Sequence, residues 1–160
     1  MDHLWSPWRY DYVTKAGPDV PCIFCEKSSQ TSDAENYIVH RAKKNFILLN
    51  IYPYTTGHMM IAPYEHVATL EATSEETVTE MMLLSRQAAK HLRAIYHPHG
   101  MNIGMNVGEC AGAGVAGHIH MHVLPRWIGD SSFMTTVGET RVLPEDLRVT
   151  YERLVKAFAG

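Results

Sequence analysis

His118-Ile119-His120-Met121-His122-Val123-Leu124 sets three imidazoles at every second position, with Ile119, Met121 and Val123 taking the alternate places. Period two is the pattern of a β-strand with two unlike faces. The imidazoles are expected on one face and the apolar side chains on the other, against a core. With a rise of about 3.3 Å per residue, rings two positions apart would stand roughly 6.5–7 Å from each other, a spacing that brackets one phosphate group. Chance clustering among ten histidines is the plain alternative. A three-histidine site for zinc or a redox metal is another, because neutral imidazole is a common ligand.

From Gly104 to Gly117 five glycines fall within fourteen residues: Gly104, Gly108, Gly112, Gly114 and Gly117. Backbone without Cβ atoms can turn its N–H groups toward an anion, which makes the loop a candidate phosphate cradle; a turn between two strands is the alternative. Gly112-Ala113-Gly114-Val115-Ala116-Gly117 fits G-x-G-x-x-G, yet it leads into a strand instead of opening a helix, so a dinucleotide fold is not indicated. No G-x-x-x-x-G-K-[ST] occurs, which removes the P-loop enzymes.

The chemistry follows from the residue types. Imidazole is largely neutral at physiological pH, nucleophilic, and a good leaving group once bonded to phosphorus. His120, in the middle, is the natural nucleophile toward an α-phosphorus, giving a nucleotidyl-histidine that water or phosphate then releases. To attack through one nitrogen it must hold its proton on the other, against an acceptor expected to be a backbone carbonyl. His122, on the same face, is placed to bind phosphate oxygens and to protonate the leaving group. No dense acidic cluster suggests magnesium, so catalysis is expected to need no cofactor, with loop N–H groups and the Asn106 amide meeting the phosphate charge.

These residues resemble the histidine triad superfamily of nucleotidyl hydrolases and transferases. Phe46-Ile47-Leu48-Leu49-Asn50, Gly57-His58-Met59-Met60-Ile61-Ala62-Pro63 with His66, and Asn106-Val107-Gly108 sit where that family has its nucleotide-site strand, second strand and phosphate loop. Leu4-Trp5-Ser6-Pro7-Trp8-Arg9 and Cys22-Ile23-Phe24-Cys25 ahead, with Pro125-Arg126-Trp127, Asp130 and Phe133-Met134 behind, look like the bacterial branch similar to diadenosine tetraphosphate phosphorylases. The resemblance implies an α+β, HIT-like fold and a homodimer or higher assembly. It assigns catalysis to His118, His120 and His122, the ribose hydroxyls to Asn50, and the phosphates to Asn106, Gly112 and Gly114. Phe24 and Ile23 are candidates for the base pocket, with plain core as the alternative. Many relatives carry Gln and then Ser or Thr four and three residues before the first triad histidine, where this chain has Gly114 and Val115. Glycine there is expected to leave room for inorganic phosphate as acceptor, favouring phosphorolysis to ADP and ATP over hydrolysis.

Cys22-Ile23-Phe24-Cys25 is a C-x-x-C unit, open among metal binding, redox chemistry and packing; no thioredoxin-like βαβ pattern surrounds it. In zinc-bearing relatives the pair is joined by histidines placed like His66 and His118. The resemblance therefore implies a structural zinc on Cys22, Cys25, His66 and His118, against thiols packed without metal.

At 160 residues and 46% hydrophobic, the chain is read as a single domain: an arm and C-x-x-C loop over 1–36, a core over 37–127, and an extension with a helix over 128–160. Net charge of −3 without a basic run argues against nucleic acid as partner. Three cysteines make no disulfide framework, and no apolar run approaches membrane-spanning length, so a cytoplasmic protein without a membrane partner is expected. In the arm, Trp5, Trp8, Tyr10 and Tyr12 are expected to pack on the domain or a partner subunit. Strands are expected near Tyr37–His40, Asn45–Asn50, His58–Ala62, Met101–Val107 and His118–Leu124, the last two as an antiparallel pair. A Thr73–Glu76 capping box should open a long helix whose core stripe is Val78, Met81, Met82, Ser85, Ala89, Leu92 and Tyr96, ended by Pro98 and Gly100. A last helix is expected over Pro144–Phe158. The leading function is transfer of a nucleoside monophosphate from a dinucleoside polyphosphate. An adenosine 5'-monophosphoramidase or purine nucleotide hydrolase and a non-catalytic nucleotide-binding regulatory module are the alternatives.

Overall fold

The computed structural model describes residues 21–132, 135 and 143–160; the arm carrying Trp5, Trp8, Tyr10 and Tyr12, and Phe133-Met134, lie outside them. Two short helices, α1 (Ile23–Ser29) and α2 (Asp33–Asn36), precede strands β1 (Ile38–Arg41), β2 (Asn45–Leu49) and β3 (Met59–Pro63). Helix α3 (Glu75–Tyr96), strand β4 (Gly100–Gly104), one 3-10 turn (Glu109–Ala111), strand β5 (Met121–Arg126) and helix α4 (Leu147–Ala159) follow. The five strands pair antiparallel in the order β1-β2-β3-β5-β4. This is the expected α+β architecture.

Alternation divides the sheet into two apolar faces. Ile47, Leu49, Met59, Ile61, Met121 and Val123 bury against Met81, Leu84, Ala88 and Leu92 of α3 and Tyr151 and Leu154 of α4. Ile38, Phe46, Leu48, Met60 and Ala62 line the other face beneath Phe24 of α1. Each such side chain, when fully buried, contributes about 1.5–3 kcal/mol. The β1–β2 turn is fastened to α3 by Glu80, whose carboxylate accepts from the backbone N–H of Lys43 (3.2 Å), Lys44 (2.8 Å) and Asn45 (2.8 Å) and from Asn45 Nδ2 (2.8 Å). Burial pushes the Glu80 carboxyl up, but these donors outweigh it and hold it below the usual carboxylate value.

Several boundaries differ from expectation for local reasons. Ser74, not Thr73, caps α3: its extended backbone lets Oγ accept from Thr77 N at 3.2 Å, while Thr73 Oγ1 donates to Thr69 O at 2.8 Å. Glu76 turns instead to Lys43 and Lys44. The buried stripe of α3 is Thr77, Met81, Leu84, Ser85, Ala88 and Leu92, and Met82, one residue and about 100° round from Met81, is 57% exposed. The C-x-x-C segment, expected as loop, forms the start of α1, with Cys22 capping it and Cys25 in its first turn. β4 ends at Gly104, short of Val107, and α4 begins at Leu147 after an Asp146 cap that accepts from Arg148 N at 2.7 Å.

The most consequential difference lies in β5, which starts at Met121 and not at His118. Its register with β3 runs Met59 to Val123, Met60 to His122 and Ile61 to Met121. Continued, that register would set Ala62 against His120 and then Ile119 against Pro63, which has no N–H to give, and the ladder ends short of that pair. Ile119 N donates instead to Val67 O at 2.8 Å.

The β2–β3 turn brings β3 back through Gly57, at φ +81°. A Cβ there would stand 2.8 Å from Leu92 Cδ2 and 3.3 Å from Tyr96 Cε2. Gly57→Ala is therefore expected to lower Tm by about 3–10 °C, from left-handed backbone and overpacking together; a thermal melt of the variant beside the parent checks this.

Candidate active site

Each triad histidine is engaged differently. His118 is fully buried, and its Nε2 lies 2.9 Å from the Pro63 carbonyl that the interrupted ladder leaves available. A carbonyl only accepts, so Nε2 carries the proton and the lone pair of Nδ1 faces Cys22 Sγ at 3.3 Å and Cys25 Sγ at 3.6 Å. Cys25 Sγ lies 3.3 Å from His66 Nδ1, and the four ligand atoms all fall within 4.8 Å of one another. Tetrahedral zinc, with bonds of about 2.3 Å to sulfur and 2.0–2.1 Å to nitrogen, would set those atoms roughly 3.5 Å apart. Cys22, Cys25, His66 and His118 thus fit such an ion, and the Pro63 carbonyl orients one ligand ring from behind.

His120 turns the other way. Its Nδ1 lies 2.9 Å from the carbonyl of His118, so Nδ1 holds the proton and Nε2 keeps its lone pair. This supplies the acceptor that attack through one nitrogen requires. Phe24 packs on the ring at 4.8 Å between centroids and on His118 at 5.1 Å. At 1% exposure Phe24 backs both imidazoles and offers no open face in this structure.

His122, on β5, pairs with Met60 of β3, and its ring lies 4.8 Å from that of His120. This is closer than the expected 6.5–7 Å, because the rings lean together edge to face at 72°. Its Nδ1 lies 2.9 Å from His58 Nε2. His58 Nδ1 accepts from Tyr54 N at 3.2 Å, so Nε2 of His58 carries the proton and gives it to His122, whose own proton then sits on Nε2. Sequence reasoning gave His58 no role. Counting by twos from Met60, the residue paired with His122, puts His58 on the same face.

Burial, with the neighbouring His120 second, drives the His122 imidazole down to about 4, and burial alone lowers that of His120. Both rings are neutral at physiological pH. Beside His122 opens a cavity of about 480 Å3 whose lining includes Tyr54, Asn102, Met105, Asn106 and Arg126. His120, 4% exposed, lies behind His122 and outside that lining.

The expected binding residues are partly gathered here. Asn106 borders the cavity and its Nδ2 reaches the Gly112 carbonyl at 3.4 Å, tying the loop across its base. Gly112, at φ +87°, closes the 3-10 turn there. Asn50 sits beside His58, with Nδ2 3.5 Å from Nδ1, and its Oδ1 accepts from Tyr52 N at 2.9 Å. Gly114, half-buried, does not border the cavity.

The HIT domain family model matches residues 31–127, more than half of the chain. An AP-4-A phosphorylase of Mycobacterium tuberculosis is 36% identical over 99% of this chain and 85% of its own length. The crystal structure of a Zn-bound histidine triad family protein from Mycobacterium smegmatis superposes with a TM-score of 0.71 at 33% identity, covering 87% of this chain and 94% of that one. A hypothetical histidine triad nucleotide-binding protein of Sulfolobus tokodaii shares the fold at 23% identity, with a TM-score of 0.69 over 86% and 92% of the two chains. Alternating histidines that lead into β5 of a five-stranded antiparallel sheet, in a chain matched in sequence and fold over most of its length, place it in the HIT domain family.

Proposed function

We propose that the protein cleaves dinucleoside polyphosphates of the diadenosine tetraphosphate type by phosphorolysis, through a nucleotidyl-His120 intermediate. The hydrogen bond from His120 Nδ1 to the His118 carbonyl carries this reading, because it holds the proton on Nδ1, and in the neutral ring that burial favours the lone pair then lies on Nε2. Nε2 attacks the α-phosphorus, and the bond to the bridging oxygen breaks. The departing nucleoside triphosphate takes the proton from His122 Nε2, the tautomer that His58 selects. Inorganic phosphate then attacks the phosphorus, the P–N bond breaks, and ADP leaves. Asn106 and the backbone N–H groups of the glycine loop meet the charge on the phosphoryl oxygens; Asn50 takes the ribose, and Ile23 borders the base. Gly114 and Val115 carry no polar side chain where many relatives have Gln and then Ser or Thr, which supports phosphate as acceptor. The AP-4-A phosphorylase of M. tuberculosis supports the same substrate class.

Zinc belongs to this reading as a structural ion on Cys22, Cys25, His66 and His118, where it would brace α1 against the segment that leads into β5. It supplies rigidity and takes part in no step. A cytoplasmic homodimer is part of the proposal as well; β4 ends the sheet, with Ile103 on it 46% exposed, and offers a second copy an edge.

Incubating diadenosine tetraphosphate with and without phosphate is the deciding experiment: ADP plus ATP should form only when phosphate is present. AMP plus ATP regardless of phosphate would overturn phosphorolysis. His120→Asn should lose about a thousandfold or more in activity while still binding nucleotide, whereas unchanged function would mark a regulatory module. Metal analysis of purified protein should find one zinc per chain, lost in Cys22→Ser together with a lower Tm. Finally, kcat/KM should show no inflection near 6.5 as pH falls. Its acid limb belongs near 4, where His122 takes up a proton and can no longer accept from His58.

A further inference from the structure

We propose that the cavity beside His122 receives the polyphosphate of the departing nucleotide, and that Arg126 on its wall is the specificity-determining residue that recognises it. This rests on the nucleotidyl-transfer reading above. A group that protonates a leaving oxygen must come within about 2.6–3.2 Å of it. Among the three triad rings only His122 borders the cavity; His118 faces the two thiols, and His120 lies behind. The bond that breaks therefore points its leaving oxygen toward the cavity, and everything attached to that oxygen follows. At about 480 Å3 the cavity falls within the range of small-molecule sites, roughly 300–1,000 Å3.

A nucleoside triphosphate arrives there with several negative charges. Among the described residues lining the cavity, Arg126 is the sole guanidinium or ammonium cation and Asp130, paired with it, the sole carboxylate; Tyr54, Asn102 and Asn106 add neutral polar groups. The Arg126 guanidinium is held in one orientation. Nε donates to Asp130 Oδ2 at 2.5 Å, Nη2 to Asp130 Oδ1 at 2.7 Å, and Nη1 to Asn102 Oδ1 at 2.7 Å. Asp130 Oδ2 also accepts from Trp127 N at 3.1 Å, which secures the carboxylate itself. Three of the five N–H groups of the fork are spent on these contacts, and among the described residues one on each Nη remains for an incoming anion. Asp130 and Asn102 thus fix the fork in advance, so an arriving phosphate meets donors whose freedom is already restricted.

The test compares two substrates with the same nucleotidyl half. Diadenosine tetraphosphate leaves as ATP, whereas adenosine 5'-phosphoramidate leaves as ammonia and has no polyphosphate to bind. Arg126→Gln should lower kcat/KM for the tetraphosphate about tenfold or more, chiefly through KM, and leave the phosphoramidate within about twofold. Turnover of the phosphoramidate shows that the variant is folded. Asn102→Asp, which sets a second carboxylate against the fork, should produce the same selective rise in KM and serves if Arg126→Gln does not fold. Equal losses on both substrates, or none on either, overturn the inference. Wild-type protein that turns over neither substrate overturns the nucleotidyl-transfer reading and this inference with it, a result recognised before any variant is made.

Discussion

A missing N–H at Pro63 sets the geometry on which the site depends. The β3–β5 ladder ends after Ile61 and Met121, and the segment from His118 to His120 runs on outside it. The Pro63 carbonyl accepts from the ring of His118, and the carbonyl of His118 accepts from the ring of His120. Had the ladder continued, backbone N–H groups would have claimed such carbonyls. Because it stops, each ring is steered by a main-chain oxygen, which moves far less than a side chain.

The consequence is a division of labour within five residues. His118 presents a lone pair to the thiols of α1, His120 keeps one on the opposite nitrogen, and His122 is turned by His58 so that its proton lies on Nε2. Burial enforces neutrality by penalising imidazolium, most clearly at His122. The proposed nucleotidyl transfer calls for both forms side by side: a neutral ring that attacks and another that gives up a proton. The two rings hold opposite tautomers, His120 fixed by an acceptor, the His118 carbonyl, and His122 by a donor, the Nε2–H of His58.

Position along this segment also separates the thiol cluster from the cavity. Phe24 stands between the two, packed on His118 toward the Cys22–Cys25 pair and on His120 toward His122. Beyond His122 the sheet opens into the cavity between β4, the Tyr54 turn and the Arg126–Asp130 pair. One extended segment therefore links a metal-shaped cluster at one end to a ligand-sized cavity at the other.

Period-two alternation alone determined that Ile119, Met121 and Val123 would face a core while the histidines faced elsewhere, because side-chain direction along an extended chain depends only on position parity. The short β4–β5 connection likewise marked that pair as antiparallel, as it is. Tertiary structure decided the rest. Cys22 and His118 are 96 positions apart, and only folding shows that their ligand atoms stand 3.3 Å apart. The part of His58, the fork at Arg126, the cap at Ser74 and the true start of β5 all turn on hydrogen bonds between residues distant in sequence or on backbone angles of the folded chain. Local pattern records which face a side chain takes; which acceptor meets a given nitrogen, and so where its proton resides, is settled only when strands from separate parts of the chain come together.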